Sequence, residues 1–154
     1  MAVMLLLAMS MVAGDILSMR AGVKRFLESE GYEVKVDDEG DMEANKEGSI
    51  YSIAIIETGY KNCLLVTHPF LYVGHDDIEA LYAVNEAQTE SVFARYHYDS
   101  EENIVTCIAT YLMDSEEDFL VLWNIMLEDF SNGENFIRGF SMVPADSFAV
   151  DTDE

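Results

Sequence analysis

Basic residues are scarce in this chain of 154 residues: eight Lys and Arg stand against thirty Asp and Glu, for a formal net charge of −22. The shortage excludes functions that rest on cationic contacts. Nucleic-acid binding draws its affinity from Lys and Arg on phosphates, and anionic lipid headgroups are held in the same way, so neither nucleic acid nor a membrane is an expected partner. Cysteine is nearly absent too. Cys63 and Cys107 lie far apart, without the CxxC spacing of a redox or metal site. A chain of this length buries roughly 70% of its unfolded surface and needs no disulfide to fold. Two reduced, buried thiols and a cytoplasmic setting are the expectation. No apolar run reaches the ~20 residues of a membrane span. The opening MAVMLLLAMSMVA has the length of a signal-peptide core but lacks the Lys or Arg that should precede it. Export is the alternative if residues 1–14 are such a signal.

Catalytic signatures are missing as well. There is no GxSxG, HExxH, GxGxxG or phosphate-binding loop. His68, His75 and His97 have no helical ligand spacing. In the acidic stretch Asp37–Glu43, setting Gly40 at the sixth position of a calcium loop puts Lys35 where the first acidic ligand belongs. That stretch is therefore expected to be a solvated turn. No enzyme activity, cofactor or metal is expected.

What the chain has in plenty is patterned apolar surface, at 50% hydrophobic residues. Residues 1–30 predict one long helix. Leu5, Met9, Val12, Ile16, Met19, Val23 and Phe26 form a seam with alternating spacings of four and three. Beside it Ser10, Gly14, Ser18 and Gly22 recur every four residues, a row of small side chains that lets another backbone approach closely. Interior glycines cost a helix about 1 kcal/mol each against alanine, so packing is the economical explanation. Five of the nine methionines fall in the first nineteen residues, and such flexible side chains suit surfaces that accept varied partners. Gly31 is the expected stop of this helix.

The period then changes to two. Tyr32–Val36, Met42–Asn45 and Ser49–Glu57 predict an antiparallel meander with turns at the acidic stretch and at Lys46–Gly48. Cys63–Thr67 is expected to add at most a short extended piece before Pro69. A helix follows from about Asp76 to Thr89, capped by Asp76 and Asp77, with Ile78, Leu81, Tyr82, Val84, Ala87 and Gln88 on its buried side. Val92–Asp99 and Ile104–Tyr111 predict a hairpin. A last helix starts at Asp114–Ser115 and should end or break at Ser131–Glu134. The result is a single α+β domain of order α-β-β-β-α-β-β-α, an antiparallel sheet packed against helices. Residues 1–22 form an apolar helical extension, 23–143 the domain and 144–154 an acidic tail.

From Val23 to Phe140 the chain resembles the YbjN-like family, a group of candidate bacterial sensory-transduction regulators whose fold is similar to that of type III secretion chaperones. The residues that carry the resemblance are FLESEGYEVKVDDEGDMEANKEGSIYSIAI and ALYAVNEAQTESVFARYHYDSEENIVTCIATYLMDSEEDFLVLWNIML. A helix ends at Gly31-Tyr32, an acidic turn follows, and a strand starts after Gly48. Ala83 and Asn85 fit the close of the second helix, while Gln88 replaces a second Asn. The resemblance implies the same element order, dimer formation, the holding of partner peptides and no catalytic residues.

Two functions of different class follow. One is a protein-binding module, chaperone-like or regulatory, that forms a homodimer through Leu5, Met9, Ser10, Val12, Gly14, Ile16, Ser18, Met19 and Gly22. The other is a small-molecule or metal-binding sensor, or a weak enzyme, with a pocket between sheet and helices lined by Tyr51, Tyr96, Tyr98, Tyr111 and Trp123. Fourteen of the thirty acids sit at turns and helix starts: Asp37, Asp38, Glu39 and Asp41; Asp76, Asp77 and Glu79; Asp99, Glu101 and Glu102; Asp114, Glu116, Glu117 and Asp118. There they stabilise local dipoles or solvate loops.

Overall fold

A computed structural model describes residues 2–59, 61–72 and 76–140, the side chains of 2–15 and of Phe140 excepted. Three helices and six strands follow in the order α1 (Ala2–Ser29), β1 (Glu33–Val36), β2 (Met42–Lys46), β3 (Ser49–Glu57), β4 (Asn62–Leu71), α2 (Asp77–Glu90), β5 (Arg95–Asp99), β6 (Ile104–Met113) and α3 (Glu116–Phe140). The expected α+β order holds. The strands form one sheet, β1-β2-β3-β4-β6-β5, with antiparallel pairing of β1 to β2, β2 to β3, β3 to β4 and β5 to β6. Among the described residues, those within 2–68 and 109–125 form one compact unit, and those within 69–108 and 126–140 form a second.

In the first unit α1 ends where the sequence says. Gly31 takes φ +87°, and the Tyr32 N–H reaches back to the Leu27 carbonyl at 3.0 Å, closing the last turn. Met19, Val23 and Leu27 supply the buried stripe. Arg20 ties the helix to the sheet, donating to the Glu39 carbonyl at 2.8 Å and to the Ile55 carbonyl at 2.9 Å. The acidic turn is thus held by Arg20 and by the Asp37 carboxylate, which accepts the N–H groups of Glu39 and Asp41 at 2.9 Å. The β2–β3 hairpin closes on two residues of positive φ, Glu47 at +54° and Gly48 at +90°, the turn whose twist matches that of the strands.

Two expectations about length need correction. The short piece expected at Cys63–Thr67 is a ten-residue strand, β4, that runs through Pro69. β3 pairs with β4 from Glu57–Asn62 to Ser52–Thr67, before the proline, which has no N–H to give. The Ile50 carbonyl is bonded instead by His68 Nδ1 at 2.8 Å, so this buried histidine completes the ladder. Helix α3, expected to break at Ser131–Glu134, is continuous to Phe140. Its start is a reciprocal cap: Ser115 Oγ accepts the Asp118 N–H at 3.3 Å, and the Asp118 carboxylate accepts the Asp114 and Ser115 N–H groups. The Asp114 N–H above all, then that of Ser115, holds the Asp118 carboxyl below the usual carboxylate range.

Gly133 explains why the helix passes unbroken. It is buried, and a Cβ there would overlap the hydroxyl and ring of the buried Tyr96 in the second unit. Gly22 in α1 faces only the far end of the half-exposed Glu116 side chain. Gly22 and Gly133 should therefore respond differently to alanine. Gly133→Ala is expected to lose about 1–3 kcal/mol by overpacking. Gly22→Ala should change stability by less than about 1 kcal/mol, because Glu116 can swing away and alanine favours the helix. Urea unfolding of both variants checks this, and equal losses would contradict it.

Candidate functional site

The expected buried side of α2 holds at Val84 and Ala87 and fails at Ile78, Leu81 and Tyr82. The buried residues of α2 are Ala80, Ala83, Val84 and Ala87, not Ile78, Leu81 and Tyr82. Both sets repeat at helical spacing, so periodicity alone supports either face. Small side chains let α2 lie close on β5, and close packing selects the alanines. Ile78, Leu81 and Tyr82 are then left largely exposed. Ile78 is 79% exposed, Leu81 57% and Tyr82 55%. At 100° per residue they fall on one face with Asn85 and Thr89.

The two ends of α2 are rigidly made. Asp76 caps the first turn by accepting the Glu79 N–H at 2.8 Å, as the sequence predicts. Ser91 donates its N–H to the Ala87 carbonyl at 3.0 Å. The segment after it, expected to begin a strand at Val92, is a loop, and β5 starts only at Arg95. Asp129 of α3 is the reason. Its carboxylate accepts the Ser91 hydroxyl at 2.7 Å and the N–H groups of Val92, Phe93 and Ala94 at 3.3, 3.0 and 2.7 Å. Partial burial pushes the Asp129 carboxyl up, but these four hydrogen bonds outweigh it and hold the group below the usual carboxylate range. Val92 and Phe93 remain exposed beyond the C-terminal end of α2.

A cavity of about 300 Å³ opens beside this loop, lined among others by Glu90, Tyr96, Asn132 and Phe136. Two of its polar groups are engaged within the unit: Asp129 as described, and Tyr96, whose hydroxyl donates to the Asp129 carbonyl at 3.2 Å. Burial pushes the Tyr96 phenol far above its ordinary range. Of the five aromatic residues expected to line a pocket, Tyr96 alone lines this one. Tyr51 and Trp123 belong to the first unit, ring against ring at 5.4 Å. Tyr111 is buried there. Tyr98 is in the second unit, where it donates to Asp77 Oδ1 at 2.8 Å. Burial and that carboxylate raise its phenol to about 12. Among the described residues no three His, Cys, Asp or Glu side chains converge as a metal site. No described helix is long and apolar enough to cross a membrane.

The first unit carries a second uncharged surface. On β3, Ile50, Ser52, Ala54 and Ile56 alternate with the core residues Ile53 and Ile55. Ser52, Ala54 and Ile56 pair with Thr67, Leu65 and Cys63. This face is weaker than that of α2, since Cys63, Leu65 and Thr67 are half-buried and hydroxyls interrupt it.

Of the residues expected to form a partner helix, the side chains of Leu5, Met9, Ser10, Val12 and Gly14 lie outside the described residues, within the backbone of α1. Met19 is buried in the first unit, Ile16 is half-buried and Ser18 is exposed. Gly22 is buried against Glu116 of the same chain. The outward face of α2 was missed by sequence reasoning. The signal that could have found it is the cluster of alanines at 80, 83 and 87, opposite three large apolar residues.

No protein-family model matches the sequence, and no curated protein matches it. Among solved structures, YbjN from E. coli, described as a candidate transcription regulator, is similar, with a TM-score of 0.56 at 11% identity. The likeness covers 75% of this chain and 86% of that one. At that identity it is a likeness of fold.

Proposed function

We propose that this protein is a non-enzymatic binding module that docks another protein on the outer face of α2, in a chaperone-like or regulatory role. The observation that carries the reading is the outer face of α2. Three large apolar residues face solvent on a helix whose buried side is alanine, although burying them would have been worth about 1.5–3 kcal/mol each. Recognition of helix faces commonly uses anchors at this i, i+3, i+4 spacing. The fold it shares with YbjN agrees with a role without catalysis, and the acidic surface keeps a protein with exposed apolar residues dispersed.

The test is a paired affinity capture from cell extract with the wild type and the Ile78→Ser/Leu81→Ser variant. Both positions already face solvent, so the melting temperature should move by only a few degrees. Proteins retained by the wild type should be lost by the variant. Identical captures would sink this face as the docking site.

A further inference from the structure

We infer that the segment docking on α2 is basic and amphipathic. The inference rests on the reading of α2 as a docking face and names the chemistry of the occupant. From Asn62 to Ala94 the sequence contains no Lys or Arg. On α2 itself the acids are arranged about the apolar strip. Glu79, Glu86 and Glu90 follow at i, i+7 and i+11, which places them along one flank, while Asp77 stands on the other. Tyr98 holds one oxygen of Asp77, while Glu90 is exposed and Glu86 half-buried beside the strip. Beyond α2, the second unit has Arg95 and Arg138 as its basic residues, and Arg138 is paired with Glu134 at 2.8 Å. An apolar strip in such a field matches a segment whose apolar anchors are flanked by Lys or Arg.

A second copy of the chain fits this face poorly. It would bring another −22 charge, with acids of one α2 set against those of the other. The size of the face points the same way. A 14-residue helix is about 21 Å long and about 10 Å wide. That offers roughly 200 Å², against the ~800 Å² per partner of a stable interface. The occupant is therefore bound transiently and with a strong dependence on salt.

The probe is a labelled helical peptide with leucine at i, i+3, i+4 and i+7 and lysine on the flanking positions, titrated against the full chain by fluorescence anisotropy. Its comparators are the same peptide with glutamate for lysine and a shuffled peptide of identical composition. The lysine peptide should bind at least about tenfold tighter than either, and lose several-fold in affinity between about 50 and about 200 mM salt. Glu86→Gln with Glu90→Gln should weaken it about three- to tenfold, and Ile78→Ser with Leu81→Ser by about tenfold or more. If both peptides bind equally and both are lost in the Ile78→Ser/Leu81→Ser variant, the docking reading stands and the basic occupant is overturned. If the lysine peptide binds that variant undiminished, or the shuffled peptide binds as well, the attraction is diffuse and both readings fall. Sedimentation of the chain alone closes the last route: a dimer dissolved by Ile78→Ser/Leu81→Ser would make a second copy the occupant and overturn the inference.

Discussion

Trp123→Ala should cost the fold about 3–5 kcal/mol, the range for truncating a fully buried large aromatic side chain. Trp123 of α3 is 1% exposed and stands at the centre of the first unit's aromatic cluster. Phe119 stacks on it at 5.3 Å, and Tyr32 and Tyr51 meet it edge-on at 5.5 and 5.4 Å. The cluster continues outward, with Phe26 of α1 against Phe119 at 5.9 Å and His68 of β4 stacked on Tyr51 at 4.6 Å. One side chain therefore joins packing from α1, β3, β4 and α3, and its removal leaves a cavity bounded by rigid rings that cannot collapse into it. Domains of this size have about 5–15 kcal/mol of stability in all, so roughly a fifth or more of it should go. Urea unfolding followed by far-ultraviolet circular dichroism measures this, since the variant retains no tryptophan to follow. Trp123→Phe keeps a ring against Tyr32, Tyr51 and Phe119 and should lose less than about 2 kcal/mol. A loss below about 1 kcal/mol for alanine would remove Trp123 from the centre of the core.

Much of the fold was legible because its punctuation is local chemistry. Gly31 at positive φ, the Glu47-Gly48 turn and the Asp76 cap each act within a few residues of themselves, and each was read correctly from sequence. What was not legible depends on residues far away in the chain. Val92 and Phe93 are good strand formers, but a carboxylate some 36 residues on, at Asp129, holds their N–H groups in a loop. The face of α2 was misread in part because apolar residues repeat at helical spacing on two faces, and only the closeness of β5 chooses alanine over leucine and tyrosine. Pro69 was read as a stop, yet it sits in β4 past the Ser52–Thr67 pair with β3, with His68 bonding the nearby Ile50 carbonyl. The candidate site fell in that illegible part. An outward apolar face is defined by what tertiary packing leaves over, and no local rule marks it.

Asp129→Asn is the second large effect, expected at about 1–3 kcal/mol, because it turns one acceptor oxygen into a donor that faces donors. Four hydrogen bonds converge on the native carboxylate, from Ser91 Oγ and from the N–H groups of Val92, Phe93 and Ala94, and an amide can satisfy at most part of them. The pH dependence fixes the sign. The folded Asp129 carboxyl lies below its unfolded value of about 3.9. Its contribution is therefore fully present above the unfolded pKa and is lost as pH falls through the lower, folded one. At pH 7 the wild type should exceed Asp129→Asn by the full difference, and the gap should narrow below about pH 4. Comparing the two proteins at each pH removes the general relief of repulsion that acid brings to any chain so negative, since they differ by one charge out of thirty acids. Hydrogen exchange localises the effect: the Val92, Phe93 and Ala94 amides should lose protection in the variant before the core strands do. The loop they form closes the C-terminal end of α2, so slackening it should also loosen the docking face without touching Ile78, Leu81 or Tyr82. A pH-independent gap between the two proteins, with those amides still protected, would show that the Asp129 carboxylate does not hold this loop.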